Sequence, residues 1–233
     1  MKQKLRGLIK AGRHKEELSL VPFVTDQPPA IAGQWTAKDH LAHLASWREF
    51  AAEEVLAVRT GAEPRPVSDD FDIENAKIFE RTHDQPFGAI LFAGGQSWHE
   101  LAAALDGCTE GDLDKTGVRR PAQRLWQVVQ LNTTTHLAGH LGFWYSDHGD
   151  AAAAEEAAKW GYELANATFS DDRARGAAAY NLGCFYALRG QAKESVRYLL
   201  KGMQLRPDLY ELAKHDTDLD AIRSSPEFLA MID

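Results

Sequence analysis

WTAKDHLAHLASWREFAAEEVLAVRTG, residues 35–61, sets the architecture of this chain. It holds no proline and no internal glycine, and its apolar residues recur every three to four positions, so it reads as one long helix. Thr36 is placed to cap the first turn, with Asp39 at the N3 position, a carboxylate variant of the capping box. Trp35, just before the cap, can pack on that first turn. Gly61, Pro64 and Pro66 stop the helix. In projection Leu44, Trp47, Ala51, Val55 and Val58 form the apolar face. His40 lies near the middle of that face and His43 on its edge. Asp39, Glu49 and Glu53 project to the polar side, where solvated charge is expected; Glu54 lies on the same helix.

On both sides of this helix the same grammar continues, with few alternating β-branched runs and no Asn-Gly hairpin dipeptide, so the chain is expected to be all-α. Helices are predicted at 3–20, 35–61, 72–81, from near Pro86 to about Leu105, and at about 123–147. Pro22 and the turn-rich 25–33 follow the first, Gly94-Gly95 weakens the helical pattern in the middle of the fourth, and 107–121 reads as loop. Four long helices joined by connections of varied length predict an antiparallel four-helix bundle. From Ala151 the composition turns alanine-rich, with helices expected at 151–167, 172–188, 192–204, 208–215 and 226–232. Ser225-Pro226 reads as an N-cap followed by proline at N1. The domains are therefore placed at 1–148 and 151–233, with the boundary at Gly149-Asp150.

The chain has 233 residues and a formal net charge of -8, with 26 Lys+Arg against 34 Asp+Glu. Its 44% hydrophobic and 26% charged content is that of an ordinary globular protein. The acidic balance argues against a nucleic-acid partner, which needs clustered Lys and Arg. No apolar stretch approaches the roughly 18 residues of a membrane span, and the N-terminus lacks the apolar core of a secretory signal. Cys108 and Cys184 are far apart and form no CxxC, which suits a reducing cytoplasm. Nine histidines against two cysteines mean that any metal site here is nitrogen-rich.

His136 and His140, in NTTTHLAGHLGFW (132–144), are four apart on a predicted helix and thus about 40° apart on one face. Leu125, Val129 and Phe143 share that arc, so the pair is expected to face the interior. Neutral imidazoles there can ligate a divalent metal; an interior hydrogen-bonded pair is the plainer reading. A third ligand would come from the second helix. Periodicity favours His40, a cavity at the edge of the core would suit His43, and spacing leaves the choice open. Asp147 shares the His136 face, as a helix-end cap or a catalytic group. Trp35, Trp47 and Trp144 can line a pocket or simply fill core.

Trp35-Thr-Ala-Lys-Asp-His-Leu-Ala-His43-Leu44 resembles the signature of the DinB/YfiT-like superfamily: a Trp, then Ser or Thr, an acidic residue four positions after the Trp and an HL pair eight positions after it. Asn132-Thr-Thr-Thr-His136-Leu-Ala-Gly-His140 is similar to that family's second motif, and residues 69–113 resemble its ClbS/DfsB branch, in which an asparagine-containing helix precedes an "LxxxLxxLxexDL"-like stretch. The resemblance covers roughly residues 1–148. It implies a four-helix bundle with a divalent metal, zinc or nickel, held by His43, His136 and His140; it thus selects His43 over His40. Three protein ligands leave a position open, as in catalytic sites. The resemblance further implies a metal-dependent hydrolase or thiol-dependent transferase acting on a small electrophilic compound, with a low-molecular-weight thiol as co-substrate in the second case. No general base is evident, and His83 is assigned no role. Ala179–Gly190 resembles the first helix of a tetratricopeptide repeat (TPR) through Leu182, Gly183 and Tyr186, with Pro207 at the closing position. Ser195, Leu199 and Gly202 replace the usual residues of its second helix. A segment with so few repeats cannot bury its own apolar faces, so it is expected to pack on the bundle or on a second subunit, as in a homodimer. The alternative function is a non-catalytic module, in which the bundle sequesters a ligand and the TPR-like segment recruits a protein partner.

Overall fold

A computed structural model describes residues 1–68 and 70–232. Asp69 and Asp233, at the outer ends of the 69–113 and 151–233 stretches, lie outside the described residues. Among the described residues the chain is all-helical, with no strand and a single isolated bridge between Thr116 and Arg124. No helix is long and apolar enough to cross a membrane. The chain divides into two compact units, Met1–His148 and the remainder from Gly149.

In the first unit the elements are α1 (Lys2–Ser19), α2 (Ala37–Thr60), α3 (Phe71–Thr82), α4 (Phe87–Asp106), α5 (Glu110–Leu113), α6 (Leu125–Gln130), a π-helical turn (Leu131–Thr135) and α7 (His136–Asp147). The capping box on α2 forms: Thr36 Oγ1 accepts from the Asp39 N–H, and Asp39 accepts from the Thr36 N–H. Gly61, at φ 75°, ends the helix in the left-handed conformation that suits glycine. α2 is the hub, packing on α3, α4, α6 and α7. Gly94 does not interrupt α4, because it lies against Leu41 of α2, where a Cβ would come within 3.0 Å of the leucine. The expected loop at 107–121 contains the short helix α5, capped by Thr109 and Asp112 in the same way as α2.

The predicted helix at 123–147 differs most. It starts at Leu125, and the π turn adds a residue to the ladder between Val129 and His136. Side chains there compete for backbone carbonyls: Asn132 Nδ2 donates to Val128 O, and Thr133 Oγ1 to Val129 O. The extra residue rotates α7 relative to α6. Leu125 and Val129 are buried as expected, whereas Phe143 is 49% exposed; a single projection across both halves fails.

Three helices of this unit are joined by a buried ion pair that periodicity does not reveal. Arg48 of α2 is fully buried and donates from Nη1 to Glu16 Oε2 of α1 at 2.7 Å, and from Nε to Ser97 Oγ of α4 at 2.9 Å. Trp98 Nε1 donates to the other Glu16 oxygen at 2.7 Å, and the guanidinium lies 4.1 Å from the Trp98 ring centre. Both Glu16 oxygens and the guanidinium thus have partners, the condition under which burial of charge is tolerated.

The second unit holds α8 (Ala151–Thr168), α9 (Asp172–Ala187), α10 (Ala192–Leu205), α11 (Leu209–Ala213), a 3₁₀ turn (Thr217–Ile222) and α12 (Pro226–Ile232). α9 and α10 make its most extensive contact. Gly183 faces Leu199, and Ser195 Oγ donates to Gly183 O at 2.8 Å. Tyr180, Leu199, Leu219, Ile222 and Phe228 build the core. Ser225 caps α12 by accepting from the Phe228 N–H.

Candidate metal centre

α2 and α7 bring four imidazoles together. His43 Nε2 lies 3.0 Å from His136 Nε2, and His140 Nε2 lies 3.0 Å from the same atom. His43, His136 and His140 each offer a nitrogen within 4.8 Å of the other two, close enough to bind one metal ion. Nitrogens at about 2.0–2.1 Å from a tetrahedral ion stand roughly 3.3 Å apart, near the two 3.0 Å separations from His136 Nε2. His40 and His43 are both buried. The two readings of α2 therefore do not compete: His43 meets the pair from α7, while His40 meets His140 from behind, with their Nδ1 atoms 2.8 Å apart.

Burial lowers the affinity of all four rings for protons. His40 and His136 fall to about 4, the first by desolvation against the pull of Asp39, the second by desolvation and then the positive charge of Arg48. His43 and His140 lie well below the ordinary histidine value through desolvation and mutual repulsion. The rings are neutral at pH 7, which leaves ring lone pairs available to a cation. His40 Nε2 and His43 Nδ1 are buried without a hydrogen-bond partner.

Aromatic rings enclose the cluster. Trp35 lies 5.1 Å from His43 and is stacked 5.9 Å from His140. Trp47 lies 6.3 Å from both His43 and His136, and its Nε1 donates to Asn75 Oδ1 of α3 at 3.1 Å. Trp144 is buried 6.2 Å from His40. On the side of His43 and His136 lies a cavity of about 890 Å³, lined also by Trp47, Phe50, Phe71, Asn75, Asn132 and Arg120.

The acidic residues behave differently from their projection. Asp39 is buried, because capping turns it inward and His83, at the end of α3, covers it with Nδ1 3.0 Å from Asp39 Oδ1. Glu49 and Glu53 are half-buried and paired, Glu49 with Arg65, and Glu53 with Arg65 and Arg119. Glu54 is buried against Arg119. Asp147 is exposed. Sequence periodicity has no means of finding Arg48, Arg119 or Arg120, since their partners come from other elements. Compared with known protein families, curated proteins and solved structures, the chain matches none.

Proposed function

We propose that His43, His136 and His140 hold a divalent metal, zinc or nickel, in a DinB/YfiT-like four-helix bundle, and that the site acts on a small electrophilic compound by hydrolysis or thiol transfer. The observation that carries this reading is the meeting of three neutral imidazole nitrogens, two of them on residues, His43 and His136, that line a large cavity. Among the described residues no carboxylate or thiol joins the group; three imidazole ligands would leave a coordination position open, as in catalytic sites. A bound ion would supply Lewis-acid activation of water or of a thiol.

The chain's own residues do the rest. His40 orients His140: with His140 Nε2 committed to the ligand set, its proton sits on Nδ1 and is donated to His40 Nδ1. Burial, reinforced by the positive charge of Arg48, keeps His136 neutral. Trp35 and Trp47 pack against the imidazoles. Glu54 is held by Arg119 and is not free to act as a base. The Gly183–Leu199 contact and the Ser195 hydrogen bond support reading α9 and α10 as a TPR-like hairpin, a structural extension of the chain.

Metal analysis of untagged protein tests the reading. One equivalent of zinc or nickel per chain, reduced in H43A and H136A, is expected. A metal-free protein whose melting temperature ignores added zinc and nickel would refute it.

A further inference from the structure

Among the described residues, the cavity beside the imidazoles contains one cation that no carboxylate neutralises. Arg119 is committed, with Nε 2.9 Å from Glu54 Oε2 and Nη2 3.3 Å from Glu53 Oε2. Arg65 is committed as well, with Nε 2.7 Å from Glu53 Oε1. Arg120 has no carboxylate partner among the described residues. Its guanidinium instead lies 4.3 Å from the centre of the Phe71 ring. A guanidinium occupied on its face by an aromatic ring still presents its edge, where its N–H donors point. Glu63 also lines the cavity, but it is exposed and forms no ion pair with Arg120.

The backbone that leads into Arg120 is held to α2. Glu54 Oε1 accepts from the Arg119 N–H at 2.8 Å. A Cβ at Gly117 would come within 2.5 Å of that same oxygen, so only glycine lets the carboxylate reach the loop. The backbone one residue before Arg120 is thereby tied to the buried side of α2. From Arg120 an aromatic wall leads toward the imidazoles. Phe71, half-exposed, lies 5.7 Å from Trp47, and Trp47 lies 6.3 Å from His43 and His136.

We infer that this cavity binds an amphipathic organic carboxylate, its carboxylate on Arg120, its flat apolar body along Phe71 and Trp47, and its far end at the imidazoles. The orientation rests on the proposal that the imidazoles mark the reacting end; the carboxylate contact does not. Carboxylate geometry matches the guanidinium edge, and the pairing is charge-assisted at a partly desolvated wall. An aromatic wall rewards a ligand with apolar area, which separates this class from sugars and free inorganic anions.

The test uses the chelator-treated full chain and two probes of nearly the same shape, the anionic 3-(2-naphthyl)propionate and its neutral primary amide, titrated calorimetrically. The acid is expected to bind about tenfold tighter than the amide, the size of a charge-assisted contact. The preference should vanish in R120M and R120Q, whose helicity and zinc uptake match the wild type, and persist in part in R120K. Equal affinity of the wild type for acid and amide, or a preference that survives both neutral variants, would overturn the inference. Zinc titration of the same samples separates the two ideas. Absent zinc binding with an Arg120-dependent preference refutes the metal reading and leaves the carboxylate site standing; zinc binding without the preference does the reverse.

Discussion

His40 and His140 face each other through their Nδ1 atoms at 2.8 Å. Two nitrogens at that distance share one proton. If His140 keeps its Nε2 lone pair for the proposed ligand set, it is the donor. On that proposal His40 is the acceptor that fixes the His140 tautomer, and its own Nε2, buried and unpartnered, would carry the remaining proton. Removing the acceptor with a ring of similar shape, His40→Phe, is expected to weaken zinc binding roughly 10–100-fold while leaving the circular dichroism spectrum unchanged. His40→Gln, which retains an acceptor, should recover part of that loss. Competition against a chelator of known zinc affinity reads both.

Arg48 and Glu16 test the buried clamp. Arg48→Met leaves Glu16 charged in the core beside Trp98, and is expected to cost about 3–5 kcal/mol, measured by urea unfolding. The paired change of Glu16→Gln with Arg48→Met should cost less than Arg48→Met alone, since no bare charge remains. A cost of Arg48→Met below about 1 kcal/mol would mean that the pair behaves as an exposed one.

Gly12 of α1 sits on the π turn: a Cβ there would meet Thr133 O at 2.3 Å and Trp98 at 2.8 Å. Gly12→Ala must move α1 or the turn that sets the phase of His136. Overpacking of this kind costs about 1–3 kcal/mol, and a parallel fall in zinc affinity is expected. Gly7→Ala on the same helix, with nothing within 4 Å, is the control and should be neutral or slightly stabilising.

The pH dependence of the metal-free protein is set by the lowered histidine values. His40 and His136 titrate near 4 in the folded state and near 6.5 when unfolded. Between these limits the unfolded chain binds more protons, so stability rises with pH. Thermal midpoints of chelator-treated protein should therefore fall as the pH is lowered from about 6.5 to about 4, and the slope should be shallower in H136N. A slope unchanged by that substitution would assign the effect elsewhere.

The legible part of the sequence is local. Thr36 and Asp39 announce the start of α2, and the four-residue spacing of His136 and His140 survives because both lie beyond the π turn. The choice between His40 and His43 is not legible, because a helical projection ranks residues against one interior, whereas α2 meets α7 with two successive faces of a turn. Projection misplaces Phe143 for a related reason: the Thr133 and Asn132 side chains divert backbone bonds and shift the register. It puts Asp39 in solvent because it does not see His83 folding back over the carboxylate. Arg48 and Arg120 owe their roles to residues distant in sequence, beyond the reach of periodicity.

Coordination by the three imidazoles is read without intermediary by the zinc-edge X-ray absorption spectrum of the full chain loaded with one equivalent of zinc. Three imidazole nitrogens at about 2.0–2.1 Å with one further light atom are predicted, one imidazole being lost in each of H43A, H136A and H140A. A sulfur scatterer, a spectrum of hydrated zinc, or a set of nearest neighbours unchanged in all three variants would contradict it.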